Sequence, residues 1–376
     1  MNPDPINYLR GVLSRAAELG VSDIHLSVLA PVYFRRYGAL EAVSGEDPLT
    51  RDQVDAVVAA LLSDSQRQTF EETKSVDLAF QLEDPPGRYR INVFYERGRP
   101  ALSVRRLDDQ FRTLSELHLP NQLSELVSLR DGLVLVTGPT GSGKSTTLAT
   151  MINQINHERS AHVVTIEDPI EYEHGNVRSL VRQRELHSDV RSFAEAVRAS
   201  LREDPDVILV GEMRDAETAR AAITAAETGH LVFSTLHTGD TVGAISRLLG
   251  IFPAEEQDAV RHELSLVLRS VVAQRLVRSV DQESRYPAVE ILNINNAVAN
   301  LIRLRKFEQI YSAIESGSAQ GMQTFDQSLA DLVASGRLTE SDGRSHSRNV
   351  AAFEAALVSG RGRGMRRRRT GEGVRS

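Results

Sequence analysis

The spacing of apolar residues divides the chain into two regions of different character. Near the start, apolar residues recur at helical spacing from Ile6 to Leu19, and Gly20 is a natural stop for that helix. Short runs that alternate between apolar and polar residues follow, and these predict strands. Beyond about Asn121, helices instead alternate with wholly apolar strands, which is typical of a parallel α/β sheet. We therefore predict an α/β protein with a small α+β domain before a parallel-sheet domain.

The α+β domain is predicted over residues 1–107. A helix with Thr50 as its N-cap is expected over 51–71. Strands are expected over 22–27, 32–35, 76–80, 88–95 and 101–105, the last two as a hairpin. In the strand over 88–95, successive side chains point to opposite faces. Arg88 and Arg90 therefore lie on one face, and the other face carries Tyr89, Ile91 and Val93.

Residues 108–120 are expected to form a linker, and 121–350 the second domain. Its strands are expected over 133–136, 162–166, 207–210 and 231–236, and its helices over 192–203, 215–227, 240–249 and 255–277. Thr324 and Gln327 have capping-box spacing at the start of another helix, which Gly336 ends. From 351 to 376 we predict a disordered basic tail around the run Arg366–Arg369.

Composition and charge narrow the classes of function. Hydrophobic residues make up 41% of the 376 and charged residues 25%, which is ordinary for a globular protein with a core. The absence of cysteine excludes disulfides and cysteine zinc sites. No signal peptide and no run of 18 apolar residues is present, so we expect a cytoplasmic protein. The net charge is −7 although the tail is rich in arginine, and so acidic a body argues against a nucleic-acid partner.

One stretch of the second region carries specific chemistry. Gly138 to Ser145 fits the phosphate-loop pattern G-x-x-x-x-G-K-[ST] between an apolar strand and a helix. Backbone N–H groups and the positive end of the helix then point at one spot, which suits a β-phosphate. In this pattern Lys144 reaches the β- and γ-phosphates and Ser145 ligates Mg²⁺. The residues predicted to hold a nucleoside triphosphate are Thr140, Gly141, Ser142, Gly143, Lys144, Ser145 and Thr146.

Acidic residues and histidines occur at the ends of the predicted strands. Ligands of open α/β sheets bind beyond the carboxyl ends of the strands, so Glu167 and Glu212 are candidates for orienting water and supporting the metal. We predict that Glu212 and Ser145 hold the Mg²⁺ ion. His230 and His237 flank one strand, and no third ligand stands at zinc spacing, so a zinc site is rejected. We predict that the histidines sense the γ-phosphate or contact another subunit.

Together these segments resemble the type IV pilus retraction ATPases (PilT-like twitching motility proteins) of the type II/IV secretion ATPase superfamily. The resemblance covers about residues 5–345. Its markers are the phosphate loop at 138–146, an aspartate box at 165–171, the segment 201–215, a histidine box at 224–237 and the G-M-Q-T of 321–324.

The resemblance implies a PAS-like N-terminal domain, a RecA-like domain and a homohexameric ring that binds ATP and Mg²⁺ at its subunit interfaces. It also implies that arginines of the first domain complete the site, which makes Arg88, Arg90 and Arg105 candidates. ATP hydrolysis would then drive pilus retraction through an inner-membrane platform protein, at the inner face of the cytoplasmic membrane. A paralogous retraction or assembly ATPase would be a further partner.

Several alternatives stay open. Pilus assembly and type II secretion ATPases share these boxes, but they usually carry a four-cysteine zinc motif, so the absence of cysteine favours retraction. The retraction motif A-I-R-N-L-I-R-E stands here as A-V-A-N-L-I-R-L over 297–304, which also fits an accessory motor or a different fibre. A RecA-like nucleic-acid motor and a non-hydrolysing regulatory ring are the remaining alternatives.

Overall fold

The chain divides into two compact units. A computed structural model describes residues 4–36, 39–83, 86–107, 111–281 and 284–359. Unit 1 is Met1–Gln110 together with the short segment Pro169–Glu173, and unit 2 is Phe111–Asp168 together with His174–Ser376. The chain therefore passes from one unit to the other three times. No helix in the described ranges is long and apolar enough to span a membrane.

Unit 1 is an antiparallel sheet with three helices. The six strands are ordered β3-β2-β1-β6-β5-β4. On β5, Tyr89, Ile91 and Val93 are buried while Arg88 and Arg90 are partly exposed, so the predicted alternation is confirmed. In chain order the elements are α1 (Pro5–Glu18), β1 (Asp23–Ser27), β2 (Tyr33–Arg36), β3 (Ala39–Ala42), α2 (Arg51–Leu61), α3 (Asp64–Thr73), β4 (Ser75–Glu83), β5 (Pro86–Glu96) and β6 (Arg99–Leu107).

The single helix predicted over 51–71 was wrong, because two helices occupy this stretch. Ser63 starts the second one: its hydroxyl accepts a hydrogen bond from the backbone N–H of Gln66, and the Gln66 side chain accepts one from the backbone N–H of Ser63. This capping box leaves Leu62 extended and ends α2. Strand β3 was not predicted, because its four residues are exposed and carry no apolar alternation.

Unit 2 is built on a mainly parallel sheet, as predicted. Its strands are ordered β13-β12-β7-β11-β10-β8-β9, and among the described strands only the β12–β13 pair is antiparallel. The elements are α4 (Leu123–Val127), β7 (Gly132–Thr137), α5 (Lys144–Glu158), β8 (His162–Glu167), β9 (Leu180–Glu185), α6 (Phe193–Ser200), β10 (Val207–Val210), α7 (Ala216–Glu227), β11 (Leu231–Leu236), α8 (Thr241–Gly250), α9 (Gln257–Val267), β12 (Leu268–Arg278), β13 (Arg285–Asn293), α10 (Asn296–Arg303), α11 (Ile310–Ser316), α12 (Phe325–Ala334), α13 (Glu340–His346) and α14 over 350–359.

Strand β7 shows why the central strands of unit 2 are mostly apolar. Leu133 and Leu135 pack into the core on one face of the sheet, whereas Val134 and Val136 pack into the core on the other. Because helices cover both faces, successive side chains are all buried and no period of two appears in the sequence. The same holds for β10 and β11, whose side chains are also all buried.

The helix predicted over 255–277 was wrong in its second half. Helix α9 ends at Val267, and β12 begins at the next residue. The sequence stays apolar across this boundary, so helical periodicity alone does not reveal it. The β-branched pair Val271 and Val272 favours a strand, and β12 is held there by β7 on one side and β13 on the other. Strands β9 and β13 were also not predicted.

Helix α14 lies at the start of the stretch for which we predicted a disordered tail. Phe353 and Leu357, one helical turn apart, are buried in a cluster with Phe325 and Leu329. These contacts give the segment a packed apolar face, which an unstructured tail lacks. The arginine run Arg366–Arg369 lies outside the described residues.

We expect Phe353→Ala to lower the free energy of unfolding by about 3 to 5 kcal/mol, because it removes a fully buried ring. The matched control is Val358→Ala on the same helix, whose side chain is 71% exposed and should change stability little. Urea unfolding of both variants measures the difference. Equal stabilities would mean that α14 is not packed as described.

Candidate functional site

The phosphate loop joins β7 to α5 and requires glycine at two positions. Gly138 has φ +154°, and a Cβ there would lie 2.3 Å from the backbone oxygen of Gln274. Gly143, the N-cap of α5, has φ +86°, and its Cβ would lie 2.8 Å from Nε2 of Gln274. Both glycines therefore allow the loop to approach β12 closely. The seven residues predicted to hold nucleotide lie together in this loop and the first turn of α5.

Two side chains hold the loop in shape. The buried Lys144 donates from Nζ to the carbonyl oxygens of Gly138 (2.9 Å) and Pro139 (3.2 Å). The buried Gln274 donates from Nε2 to the Ser142 carbonyl (2.7 Å), and its Oε1 accepts from the Thr147 hydroxyl (2.8 Å). Gln274 was missed because it fell in the wrongly predicted helix. The signal that marks it is a lone amide inside an apolar strand.

The register of the parallel strands brings the candidate acids to the same edge of the sheet as the phosphate loop. Ile166 is paired with Val210, Val210 with Ser234, and Leu236 with Thr137, the residue before the loop. Glu167 is the last residue of β8, and Glu212 follows β10 by two residues. Both carboxylates therefore lie beyond the carboxyl ends of neighbouring strands.

Glu167 is held by hydrogen bonds that fix its carboxylate. Its Oε1 accepts from the Thr165 hydroxyl (2.7 Å) and from Nε2 of Gln183 (3.1 Å). The other end of the Gln183 amide accepts from the backbone N–H of His174 (2.7 Å). Gln183 lies on β9, a strand that the sequence pattern did not predict, and so it was missed as a site residue.

Glu212 contacts an arginine and one of the two candidate histidines. Its side chain is only 13% exposed; Oε1 lies 2.6 Å from Nη2 of Arg214, and Oε2 lies 3.3 Å from Nε2 of His237. Because the carboxylate can accept several hydrogen bonds, it holds both neighbours at the sheet edge. Glu167, Glu212 and His237 thus lie along the edge of the sheet that carries the phosphate loop, and their roles in the site stay predictions.

His230 lies elsewhere in the same chain. It precedes β11, whereas His237 follows it, so a six-residue strand of about 20 Å separates them. Nδ1 of His230 lies 2.9 Å from the carbonyl oxygen of Ala225 and 3.1 Å from the Thr228 hydroxyl, at the end of α7. The structure therefore does not bring His230 to the phosphate loop of its own chain, and an inter-subunit role stays a prediction.

Within the described ranges, no group of three or more His, Asp or Glu side chains is arranged to hold a metal ion. A Mg²⁺ ion typically binds proteins through one or two oxygen ligands and takes the rest from substrate phosphates and water. The exposed Ser145 hydroxyl in the first turn of α5 and the Glu212 carboxylate fit that small donor set. Their assignment to the metal stays a prediction.

The three candidate arginines share one face of unit 1. Arg90 and Arg105 stand directly opposite each other on β5 and β6, and Arg88 lies two residues before Arg90. Each is paired with a carboxylate: Arg90 with Asp77 (3.4 Å), Arg105 with Asp23 (2.8 Å) and Arg88 with Glu173. Like charges directly across a strand pair repel, so these acids keep the cluster in place. The predicted placement of Arg88 and Arg90 on one face is confirmed, and the part of the arginines in a nucleotide site stays a prediction.

His174 lies where the chain returns to unit 2 after the segment Pro169–Glu173. Its ring packs on Phe111, the first residue of unit 2, with the ring centroids 4.6 Å apart. Its Nδ1 has no hydrogen-bond partner within the described ranges. Burial lowers the pKa of His174 to about 4, because the charged imidazolium would lose its hydration.

The comparisons with known proteins agree with this architecture. The model of the family described as Type II/IV secretion system protein matches residues 4–342. The chain belongs to this family. It is 44% identical over 335 residues to the type IV pilus retraction ATPase PilT of Pseudomonas aeruginosa, covering 89% of this chain and 96% of the relative. It is 46% identical over 301 residues to a twitching motility protein of Neisseria gonorrhoeae, covering 80% of each.

Solved structures of relatives have the same fold. A crystal structure of the pilus retraction motor PilT with bound ADP superposes with a TM-score of 0.85 at 43% identity, over 92% of this chain and 98% of that one. The Legionella pneumophila ATPase DotB follows with a TM-score of 0.76 at 28% identity, over 91% and 95% of the two chains. The predicted family and fold class are thereby confirmed.

We expect the stability of the wild type to fall as the pH is lowered from about 6.5 toward 4. The folded pKa of His174 lies below its unfolded value, so the unfolded chain binds the extra proton in this window and is favoured as pH falls. Between pH 7 and pH 5 the loss attributable to His174 should be about 2 kcal/mol.

Urea unfolding at the two pH values measures this loss. His174→Phe keeps the contact with Phe111 and should remove this part of the pH dependence. His157→Gln, at an exposed histidine on α5, is the control and should behave like the wild type. The same pH dependence in His174→Phe as in the wild type would contradict the assignment.

Proposed function

We propose that this chain is an ATPase motor of type IV pilus retraction, which couples ATP hydrolysis to pilus disassembly and twitching motility. The observation that carries the proposal is the meeting of a complete phosphate loop, Glu167 and the Glu212–His237 pair at one edge of the sheet. The family membership supports ATP as the nucleotide. The identity to PilT over most of both chains supports retraction as the work performed.

The loop is prepared for a triphosphate. Lys144 donates to two loop carbonyls, and these weak acceptors are readily exchanged for the β- and γ-phosphate oxygens. Backbone N–H groups at the start of α5 bind the β-phosphate. Ser145 and Glu212 would hold Mg²⁺, which neutralises charge on the phosphates when bound. The side chains of Lys144 and Ser145 therefore orient the substrate before any bond breaks.

Hydrolysis then needs a correctly aimed water. Glu167 orients a water molecule whose oxygen attacks the γ-phosphorus, and the bond from that phosphorus to the bridging oxygen of ADP breaks. The products are ADP and inorganic phosphate, and the water's proton passes to solvent through the carboxylate. Thr165 and Gln183 keep that carboxylate in one orientation. His237 lies at the same edge of the sheet and contacts the Glu212 carboxylate.

We further propose that the chain works as a homohexamer. Arg88, Arg90 and Arg105 would exchange their present carboxylate partners for the phosphates of ATP bound at a subunit interface, closing the site, and release them after hydrolysis. The clustering of three arginines on one face of unit 1 supports this role. The motion would be passed to an inner-membrane platform protein at the inner face of the cytoplasmic membrane.

A second candidate function is that of an accessory retraction motor. The motif that retraction ATPases carry as A-I-R-N-L-I-R-E lies here on α10, where Ala299 replaces an arginine and is buried, and Leu304 replaces a glutamate and is 56% exposed. Compared with the retraction motif, this segment therefore lacks two charges, one at a buried and one at an exposed position. The chain is also 37% identical over 335 residues to the type IV pilus ATPase PilU of Pseudomonas aeruginosa, and a paralogous ATPase of this kind would be a partner.

We expect Glu212→Gln to lower ATP turnover by about 10² to 10³-fold, because it removes a negative charge from the metal and its water. Arg90→Ala should lower it by about 10²-fold or more if this arginine stabilises the transferring phosphoryl group. Steady-state phosphate release, with light scattering to follow the hexamer, measures both. Glu217→Gln, an exposed acid on α7 that pairs with Arg198, is the matched control and should keep wild-type activity.

Other results would point elsewhere. If the wild type binds ATP but does not turn it over, the regulatory-ring alternative is correct. If a monomer with Arg90→Ala hydrolyses ATP normally, the arginines of unit 1 do not complete the site. If added DNA stimulates ATP turnover, the alternative of a RecA-like nucleic-acid motor is supported.

We expect Gln274→Leu to weaken ATP binding by about 30-fold, since it removes two hydrogen bonds of about 1 kcal/mol each that shape the loop. Titration with a fluorescent ATP analogue measures the dissociation constant. Gln154→Leu is the control, because Gln154 contacts only Glu158 along α5 in the hydrogen bonds described. An unchanged affinity in Gln274→Leu would mean that the loop keeps its shape without this amide.

A further inference from the structure

The loop that follows β11, residues 237–241, contacts the nucleotide edge at two points. His237 contacts the Glu212 carboxylate (3.3 Å). Thr238 donates from its backbone N–H to the hydroxyl of Thr137 (2.9 Å), and the two hydroxyls lie 2.8 Å apart. Thr137 directly precedes the phosphate loop. A displacement of residues 237–241 would therefore disturb both the Glu212 carboxylate and the start of the phosphate loop.

The same loop is held from the far end of the chain by Arg348. The Nη2 atom of Arg348 lies 2.9 Å from Oδ2 of Asp240 and donates to the carbonyl oxygen of Gly239 (3.2 Å). Its Nη1 atom lies 3.3 Å from Oε2 of Glu290. The other carboxylate oxygen of Glu290 accepts from the backbone N–H (3.0 Å) and hydroxyl (2.8 Å) of Thr241. Arg348 is thus linked to the loop directly and again through Glu290.

The charges in this cluster depend on each other. Glu290 is fully buried, and burial raises its pKa, an effect that Thr241 and Arg348 oppose. A buried carboxylate without a partner is strongly unfavourable, and the Arg348 guanidinium and the Thr241 donors offset part of that cost. Since Arg348 contacts Gly239 and Asp240 while Glu290 contacts Thr241, the cluster holds residues 239–241 in one position.

Arg348 is itself fixed by packing. Its backbone N–H donates to Oδ1 of the buried Asp326 (2.8 Å), and the backbone N–H of Asn349 donates to Oδ2 (3.2 Å). The guanidinium lies 5.3 Å from the ring centroid of Phe325. Helix α14 starts immediately afterwards and is held by the buried Phe353. These contacts restrict both the backbone at Arg348 and the position of its guanidinium.

We propose that Arg348 is a positioning residue that holds residues 237–241, and through them His237 and Thr238, in the arrangement needed for ATP hydrolysis. Arg348 lies just beyond residue 342, where the match to the family model ends. The C-terminal segment thus adjusts the nucleotide edge without touching the nucleotide. The inference rests on the ATPase activity proposed above.

The test uses the full chain with Arg348→Gln, Arg348→Lys and the double variant Arg348→Gln with Glu290→Gln. The double variant removes both charges, so that no buried carboxylate is left unpaired if the single variant folds poorly. Arg344→Gln is the matched control: Arg344 lies on α13 and pairs with Glu340 and Glu354, away from residues 237–241. Steady-state kinetics gives kcat and KM for ATP, and hydrogen–deuterium exchange follows the backbone amides of Thr238 and Thr241.

We expect Arg348→Gln and the double variant to lower kcat about tenfold while KM changes less than about twofold, because the loop is displaced but the phosphate loop is intact. Arg348→Lys should recover part of kcat, since it restores the charge without the bidentate geometry. Exchange at Thr238 and Thr241 should be faster in Arg348→Gln and unchanged in Arg344→Gln.

Three results would overturn the proposal. Unchanged exchange at both amides in Arg348→Gln would mean that Arg348 does not hold the loop, whatever the activity. Faster exchange with wild-type kcat would mean that the position of the loop does not matter for hydrolysis. An equal loss of kcat in Arg344→Gln would indicate general destabilisation. If Arg348→Gln shows faster exchange but the wild type does not hydrolyse ATP, it is the proposed ATPase function that is refuted.

Discussion

The parallel pairing of β7, β11, β10 and β8 is the constraint on which the site of unit 2 depends. These strands are far apart in sequence, and each is followed by a residue with chemistry to offer. Because these strands pair in parallel register, all four end at one edge of the sheet. Strand pairing alone therefore places four groups along that edge: the phosphate loop, His237, Glu212 and Glu167. A slip of one residue in any pair would turn the buried side chains to the wrong face and move its terminal group out of the cluster.

Several polar side chains at this edge already have hydrogen-bond partners within the protein, before a nucleotide binds. Lys144 uses carbonyls of its own loop, and Gln274 uses a carbonyl and a hydroxyl on the inner side of the loop. Glu167 accepts hydrogen bonds from a hydroxyl and an amide, and these two bonds orient its carboxylate. Such a site is organised in advance, which reduces the rearrangement needed during the reaction.

The sequence predicted those parts of the fold and site whose signal is local. The phosphate loop, the acids after β8 and β10 and the alternation on β5 are each visible within a few residues. The boundary between α9 and β12 is not, because both sides are apolar and only pairing with β7 and β13 decides the conformation. Gln183, Gln274 and Arg348 act through contacts with residues 16, 132 and 109 positions away, respectively. A lone amide in an apolar strand can mark Gln274 as unusual, but its sequence position does not identify the distant residue that it contacts.

The three passages of the chain between units 1 and 2 have a consequence for how this architecture is inherited and engineered. A unit joined by one linker can be exchanged between relatives with a single cut. Here the five residues Pro169–Glu173 belong to unit 1 although they are encoded in the middle of unit 2, directly after Glu167 and Asp168. A chimera cut only at residues 110 and 111 would pair one parent's Arg88 with the other parent's Glu173. Recombination should therefore preserve the two units together, or replace both pieces of unit 1 at once.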